Sequence, residues 1–438
     1  MTSPQSVRER LWQLSWPAMI SGLSVPLLGL IDTSIVGRLD HPDAVGAVAL
    51  GSWLFDLSYW SFGFLRMGTT ELIAQARGQG VTDQLKAHLA RPLLIGVGIG
   101  MFIVTLGQLF GGEMIDALSG DQNKEISSVA RPYLFARLWG GPAVLMNYAC
   151  LGWLLGMGYA RFALLHQISL NLINICLSLW WAPYLGVSGV GAASATSQWL
   201  LAIISVTMIW FYLSSPRPFE QLKEDLSSRQ EWLALAHLNF NLWVRTVLLL
   251  GSFGLINLMS ARLGPLMLSV NALLLHLQTL QAFVLDGFAH GAEVIVGEQL
   301  GRADQAGYRS AVLRGLEFMM FSALIFSLFY FTFSPWILSL LTHHQELIEA
   351  VSPYIKWAII SPLISAPCFL LDGVMIGATQ SLAMRNGMIS SVIILLVSLY
   401  VLVPFLGNHG LWIAFLFFMA SRALVLVPAT LRLSKTMS

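Results

Sequence analysis

The chain has 438 residues, of which 56% are hydrophobic and only 11% charged, roughly half of the ~25% charge usual in soluble domains. So little charge cannot cover a water-exposed globular surface. A formal net charge of +1 also gives no reason to expect nucleic acid as a partner, because phosphate binding needs clustered Lys and Arg.

The N-terminal segment carries Arg8 and Arg10 ahead of an apolar run. That run is longer than a signal-peptide core of ~7–15 residues and contains Asp32, so it reads as a retained first helix. Windows of about 20 mostly apolar residues, the length that spans a bilayer, fall near 11–37, 44–74, 89–111, 128–156, 160–182 and 187–213. Six more follow near 232–261, 266–297, 311–341, 350–377, 387–405 and 409–430. They predict an all-α integral membrane protein of twelve transmembrane helices. The polar stretch 214–231, rich in Pro, Ser and charge, divides an N-lobe (1–213, helices 1–6) from a C-lobe (232–438, helices 7–12) and is expected to be a cytoplasmic linker.

The two halves repeat each other. Leu30-Ile31-Asp32 followed by Arg38-Leu39 recurs as Leu255-Ile256-Asn257 followed by Arg262-Leu263. Pro132-Tyr133, Gly152, Gly156 and Leu185-Gly186 recur as Pro353-Tyr354, Gly373, Gly377 and Leu406-Gly407, each 221 residues later. Six helices separate the copies, so both run in one direction through the bilayer, and a pseudo-two-fold axis along the membrane normal is expected. Fifteen Lys and Arg fall in the tails and in the loops after helices 2, 4, 6, 8 and 10, against Arg38, Lys124, Arg131 and Arg262 on the other side. Both termini are therefore expected in the cytoplasm.

A charged side chain at mid-membrane costs at least ~2.5–3.5 kcal/mol, which makes each one a functional candidate. Asp32, Asp56, Glu71, Asp286, Glu293, Glu317 and Asp372 lie inside the expected helices, as do Arg66, Arg137, Arg245, Lys356 and Arg422. Glu71, Glu293, Glu317, Lys356 and Arg422 sit near helix ends, where snorkelling to the interface is the simpler expectation. Asp32, Asp56, Asp286 and Asp372 lie deeper and carry the functional expectation, led by Asp32. It follows Pro17 and Pro26 on the same helix, each of which favours a kink. Burial favours the neutral acid over the carboxylate, so Asp32 is suited to taking up and releasing a proton; a structural Asp bound to its neighbours is the competing reading.

Helix 5 offers polar company in Gln167, Asn171, Asn174 and Ser178, spaced to share one face. Helix 6 adds Ser194, Thr196 and Gln198. Such stripes also serve as plain helix-to-helix glue. Trp53, Tyr59, Trp60, Phe64 and Met67 along helix 2, with Met259, Met267 and Phe283 later on, face lipid or core, or line a pocket that recognises varied hydrophobic ligands loosely. Cys150, Cys176 and Cys368 form no CxxC pair, and neither a disulfide framework nor a thiolate metal site is indicated. No GxxxxGK[ST] or HExxH motif occurs.

At LLGLIDTSIVGRLDHPDAVGAVALGSWLFD and SFGFLRMGTTELIAQARGQG, and again at FVLDGFAHGAE and LLDGVMIGATQSLAMRNGM, the chain resembles the multidrug and toxic compound extrusion (MATE) family, in its DinF-like subgroup. The resemblance covers nearly the whole chain. It implies two six-helix lobes around a V-shaped cleft and export of hydrophobic, often cationic compounds in exchange for protons or sodium ions. It assigns proton coupling to Asp32 and matches the family's helix-1 proline to Pro17, while bending at Pro17 and Pro26 rests on proline chemistry. Around Asp32 the matching positions are Tyr133, Asn174, Ser178 and Thr196. Ser178 stands where relatives carry a second Asp, and Ser cannot share a proton as a carboxylate does. In the C-lobe Asp372 matches a cation-binding Asp, with Asp286 as a further candidate. Cys368 replaces that site's Tyr, and helix 7 offers no acid.

The resulting expectation is a proton-coupled antiporter of the bacterial inner membrane, monomeric in lipid, that takes hydrophobic or cationic small molecules and needs no cofactor or metal. A sodium-coupled exporter and a flippase for lipid-linked substrates are the alternatives within transport. An intramembrane enzyme would need a helix-borne His, Ser or Asp pair near a cleft, and none stands out.

Overall fold

The computed structural model describes residues 6–39, 43–81, 84–119, 124–213 and 225–436, without the side chains of Val25, Pro26, Leu27, Leu30, Lys124 and Thr436. Among the described residues all regular structure is helical. The first half contains α1 (Val7–Val36), α2 (Ala44–Trp60), α3 (Phe64–Gln79), α4 (Leu85–Ser119), α5 (Lys124–Leu138), α6 (Gly141–Gly156), α7 (Ala160–Leu185) and α8 (Val187–Tyr212). The second contains α9 (Arg229–Arg262), α10 (Pro265–Gly301), α11 (Gln305–Leu341), the short α12 (Gln345–Val351), α13 (Ile355–Gly377), α14 (Ser381–Leu406) and α15 (Asn408–Thr436).

Nine of the described helices are long and apolar enough to cross a membrane, and ten if Glu125–Leu138 and Gly141–Gly156, bent by 51°, form one span. The other two expected spans, 11–37 and 44–74, correspond to α1 and to α2 with α3, which a turn at 61–63 separates. At 1.5 Å per residue, the 35 residues of α4 and the 37 of α10 and α11 reach ~50–55 Å, well past a ~30 Å hydrocarbon core. The 89–111 window therefore covers only the middle of α4, whereas 266–297 and 311–341 follow most of α10 and α11. Phe331, Tyr400 and Phe405 are more than two-thirds exposed, a pattern that suits lipid as the solvent.

The repeat has a mechanical basis. A Cβ on Gly152 would lie 2.5 Å from the Arg66 carbonyl oxygen, and one on Gly373 would lie 2.4 Å from that of Ala289. One turn on, Gly156 faces the backbone of Thr70 in the same way, and Gly377 that of Glu293. The four glycines thus let α6 cross α3, and α13 cross α10, at backbone contact. Leu185-Gly186 and Leu406-Gly407 are the second repeated device. Gly186 and Gly407 adopt φ of 61° and 55°, a conformation that glycine reaches without strain, and end α7 and α14 in tight turns.

By contacts the chain divides into two compact units, Leu23–Ala236 and Met1–Gly22 with His237–Ser438. The second unit thus takes the first turns of α1, which the expected 1–213 boundary had given to the N-lobe. Small residues on α10 make room for them. Gly287 faces Met19 and Gly291 faces Ser15 and Leu11 so closely that any Cβ would overlap. Arg10 forms an ion pair with the buried Glu298, and Trp12 packs on Phe288 and Phe318. The division falls between Pro17, buried in an unbroken α1, and Pro26, whose side chain lies outside the described residues. Of the expected linker, 214–224 lie outside the described residues as well. Its end is helical and held by Arg91, which pairs with Glu231 and donates to the Asp225 carbonyl at 2.5 Å.

Candidate functional site

Within the Leu23–Ala236 unit, a cavity of about 210 Å³ lies among six helices. Asp32 enters it from α1, Asp56 and Tyr59 from α2, Arg137 from α5, and Asn147 and Tyr148 from α6. His166, Gln167, Asn171 and Asn174 line it from α7, and Ser194, Ser197 and Gln198 from α8.

Arg137 is the fixed point of this wall. Its Nη1 donates to the Ser52 hydroxyl at 3.0 Å and to the Tyr133 hydroxyl, which themselves lie 2.8 Å apart. The guanidinium stacks 4.8 Å from the Phe55 ring centroid, a cation–π contact strengthened by desolvation. Gly51 allows this arrangement, because a Cβ there would sit 2.6 Å from the Tyr133 ring. From this anchored position Arg137 acts electrostatically on both Asp32 and Asp56.

A hydrogen-bond chain lines the opposite side. Asn147 donates through Nδ2 to the Gln198 side chain at 2.7 Å and its carbonyl at 3.0 Å. Its Oδ1 faces His166 Nε2 at 3.2 Å. With Asn147 oriented so, Nε2 carries the hydrogen and His166 Nδ1 is left as an acceptor. Gln167 donates to Asn171, Asn171 to the Ser24 hydroxyl at 3.1 Å, and Asn174 to the Ser194 hydroxyl at 3.0 Å.

This network leaves a remainder in which acceptors outnumber donors. Asp32 Oδ1, Asn174 Oδ1 and His166 Nδ1 are buried without a hydrogen-bond partner. All three are acceptors, beside one unpartnered hydroxyl, that of Tyr59, which can donate or accept; each unmet buried acceptor costs about 1–3 kcal/mol. The deficit is one of donors and positive charge, which a proton or a cationic ligand supplies.

The structure brings Asp32 and Asn174 to one cavity and separates the other expected companions. Tyr133 turns to Ser52 and Arg137 and makes no hydrogen bond to Asp32. Ser178 is fully buried one turn, about 6 Å, beyond Asn174 and outside the cavity lining. Thr196 is also outside it. At 100° per residue Thr196 points some 200° from Ser194, so Ser194, Ser197 and Gln198 hold the inward face of α8. Arg137, His166 and Asn147 are the lining residues that spacing alone did not single out. The signal for Arg137 was its bare charge within a membrane span.

The second unit holds a different arrangement. Asp372 on α13 accepts from Arg245 on α9 and from Arg422 on α15 through the same oxygen. All three residues are buried, and Asp286 contributes to the field at Arg422. The expectation that Arg422 snorkels is overturned, because it is 4% exposed and points to a carboxylate. Glu71 and Glu293 are likewise buried rather than at an interface, while Glu317 is exposed and pairs with Arg314. Asp372 therefore has two tethered guanidiniums where a cation site needs an open carboxylate.

A family model described as MatE matches residues 17–180 and 243–402. The chain is 35% identical over 419 residues, 95% of its length and 90% of the relative's, to "DNA damage-inducible protein F" of Escherichia coli (strain K12). It is 27% identical over 435 residues, 92% of its length and 87% of the relative's, to a "Probable multidrug resistance protein NorM" of Rhodopseudomonas palustris. The solved Vibrio cholerae MATE transporter VcmN in the bent form superposes with a TM-score of 0.87 at 18% identity, covering 99% of this chain and 98% of the other. That likeness carries the fold, while the family match and the E. coli relative carry the kinship. The chain belongs to the MatE family and is a multi-pass membrane transporter, not an enzyme.

Proposed function

We propose that the protein is a proton-coupled antiporter that exports hydrophobic, often cationic small molecules by alternating access, with Asp32 as the coupling residue. The observation that carries this reading is the buried, unbonded Asp32 oxygen in a cavity with two further unmet acceptors. A proton and a cationic substrate are alternative ways to supply what the cavity lacks, and exclusive occupancy of one site is the physical basis of exchange. Relatives named as multidrug resistance proteins support the substrate class, and the Arg pair on Asp372 speaks against sodium in the second unit.

Ethidium efflux from proteoliposomes, driven separately by a proton and a sodium gradient, tests the reading. Export is expected with the proton gradient alone. Transport that needs sodium would replace the proton by the sodium alternative.

The reading places both termini and the 214–231 connection in the cytoplasm of the inner membrane, on the loop-charge argument. With exposed Cys176 replaced by Ser, an impermeant thiol reagent should label Ser227→Cys only from the cytoplasmic side. It should label His343→Cys, in the α11–α12 turn, only from outside. The reverse pattern would invert the topology.

A further inference from the structure

Three formal charges line the 210 Å³ cavity: Asp32 from α1, Asp56 from α2 and Arg137 from α5. The other ionisable groups facing them are Tyr59 on α2, Tyr133 on α5, Tyr148 on α6 and His166 on α7, with Arg66 of α3 acting on Tyr148. α8 offers only Ser, Ala and Gln. Arg137 is held by Ser52, Tyr133 and the Phe55 ring, so its charge stays in the wall. Counting only the three charges that line it, with Arg66 outside the lining, the cavity carries a net charge of −1 with both acids ionised and 0 with one protonated. A low-dielectric enclosure penalises an uncompensated charge, which favours the neutral count.

Resting on the proton-coupled reading above, we propose that Asp56 is a second coupling residue and Arg137 a tethered counter-cation, so that Asp32 and Asp56 together hold one proton that a monovalent cationic substrate displaces. As one positive charge enters, one proton leaves to water and the count stays at zero. Substrate charge is thereby selected by arithmetic, and a neutral compound displaces no proton.

The arithmetic separates this role from a merely structural one. Asp56→Asn leaves Asp32 and Arg137 to neutralise each other, so the cavity has no proton to give although Asp32 is intact. Adding Arg137→Gln restores the count of −1 through Asp32 alone. An Asp56 outside the cavity's charge balance would leave the proton held by Asp32 unchanged by Asp56→Asn.

The test is the number of protons released per tetraphenylphosphonium bound, read with a pH-indicator dye on the purified, weakly buffered full-length protein. Wild type and Asp56→Glu should each release about one proton, Asp56→Asn about none, and Asp56→Asn/Arg137→Gln about one again. Asp56→Glu and the double variant, which keep the cavity count, carry the comparison if the single Asn variant does not fold. Release of a full proton by folded Asp56→Asn overturns the inference, as does a silent double variant that binds the cation. If wild type binds without releasing a proton, the proton-coupled reading itself falls and takes this one with it.

Discussion

Replacing Asp32 by Asn should abolish gradient-driven export while the protein still folds and inserts. The change keeps the size of the side chain and removes only its charge and its capacity to carry a proton. Charges sharing one cavity at roughly 4–8 Å interact by about 2–4 kcal/mol at an effective dielectric of ~20. Loss of that amount changes the balance between proton-bound and substrate-bound states by roughly 30- to 1000-fold. A full two-state switch needs ~5.5 kcal/mol, so this contribution is a large part of it. Efflux at matched expression, with thermal unfolding in detergent as the folding control, decides the matter. An Asn variant with wild-type efflux on a proton gradient would remove Asp32 from the mechanism.

Asp372→Asn, by contrast, should act on folding. The substitution leaves Arg245 and Arg422 buried at 7% and 4% exposure without their shared carboxylate. Removing one partner of a buried ion group costs about 3–5 kcal/mol. The variant should melt well below wild type and be recovered in lower yield, with export falling in proportion to the folded fraction. Replacing all three residues by apolar side chains of similar volume, as Arg245→Met, Asp372→Leu and Arg422→Met together, should restore much of the stability. Should Asp372→Asn instead melt like wild type and export nothing, the triad is a moving part of transport and not a brace.

The spans and the repeat were open to reading because both are written along the chain. Apolar length marks nine or ten spans among the described residues, and the recurring Gly152, Gly156, Gly373 and Gly377 mark crossings that only a missing side chain permits. The cavity was half legible. Asp32 and the Gln167-Asn171-Asn174 face follow from cost and helical spacing, whereas the choice of Ser194 over Thr196 depends on how α8 is rotated about its own axis. Arg422 shows the sharper limit. Its depth near a helix end suggested water, but its partner lies 50 residues away on another helix, and no local pattern encodes that meeting. Ser178 supplies no second carboxylate on α7, and the acid that joins Asp32 in the same cavity is Asp56 on α2.

The allegiance of the first turns of α1 to the 237–438 unit has a consequence for biogenesis. Arg10 meets Glu298 across 288 residues of sequence, so the first turns of α1 leave the ribosome long before their neighbours on α10 are made. At synthesis rates of ~5–20 residues per second, that segment waits roughly 15–60 s for the Gly287 and Gly291 surface to be made. A first half released alone from the ribosome would present Leu11, Ser15 and Met19 with no groove to receive them, and a second half made alone would carry the groove empty. The two gene halves are therefore not two separable folding modules, whatever their ancestry, and the chain must be complete before the second unit closes.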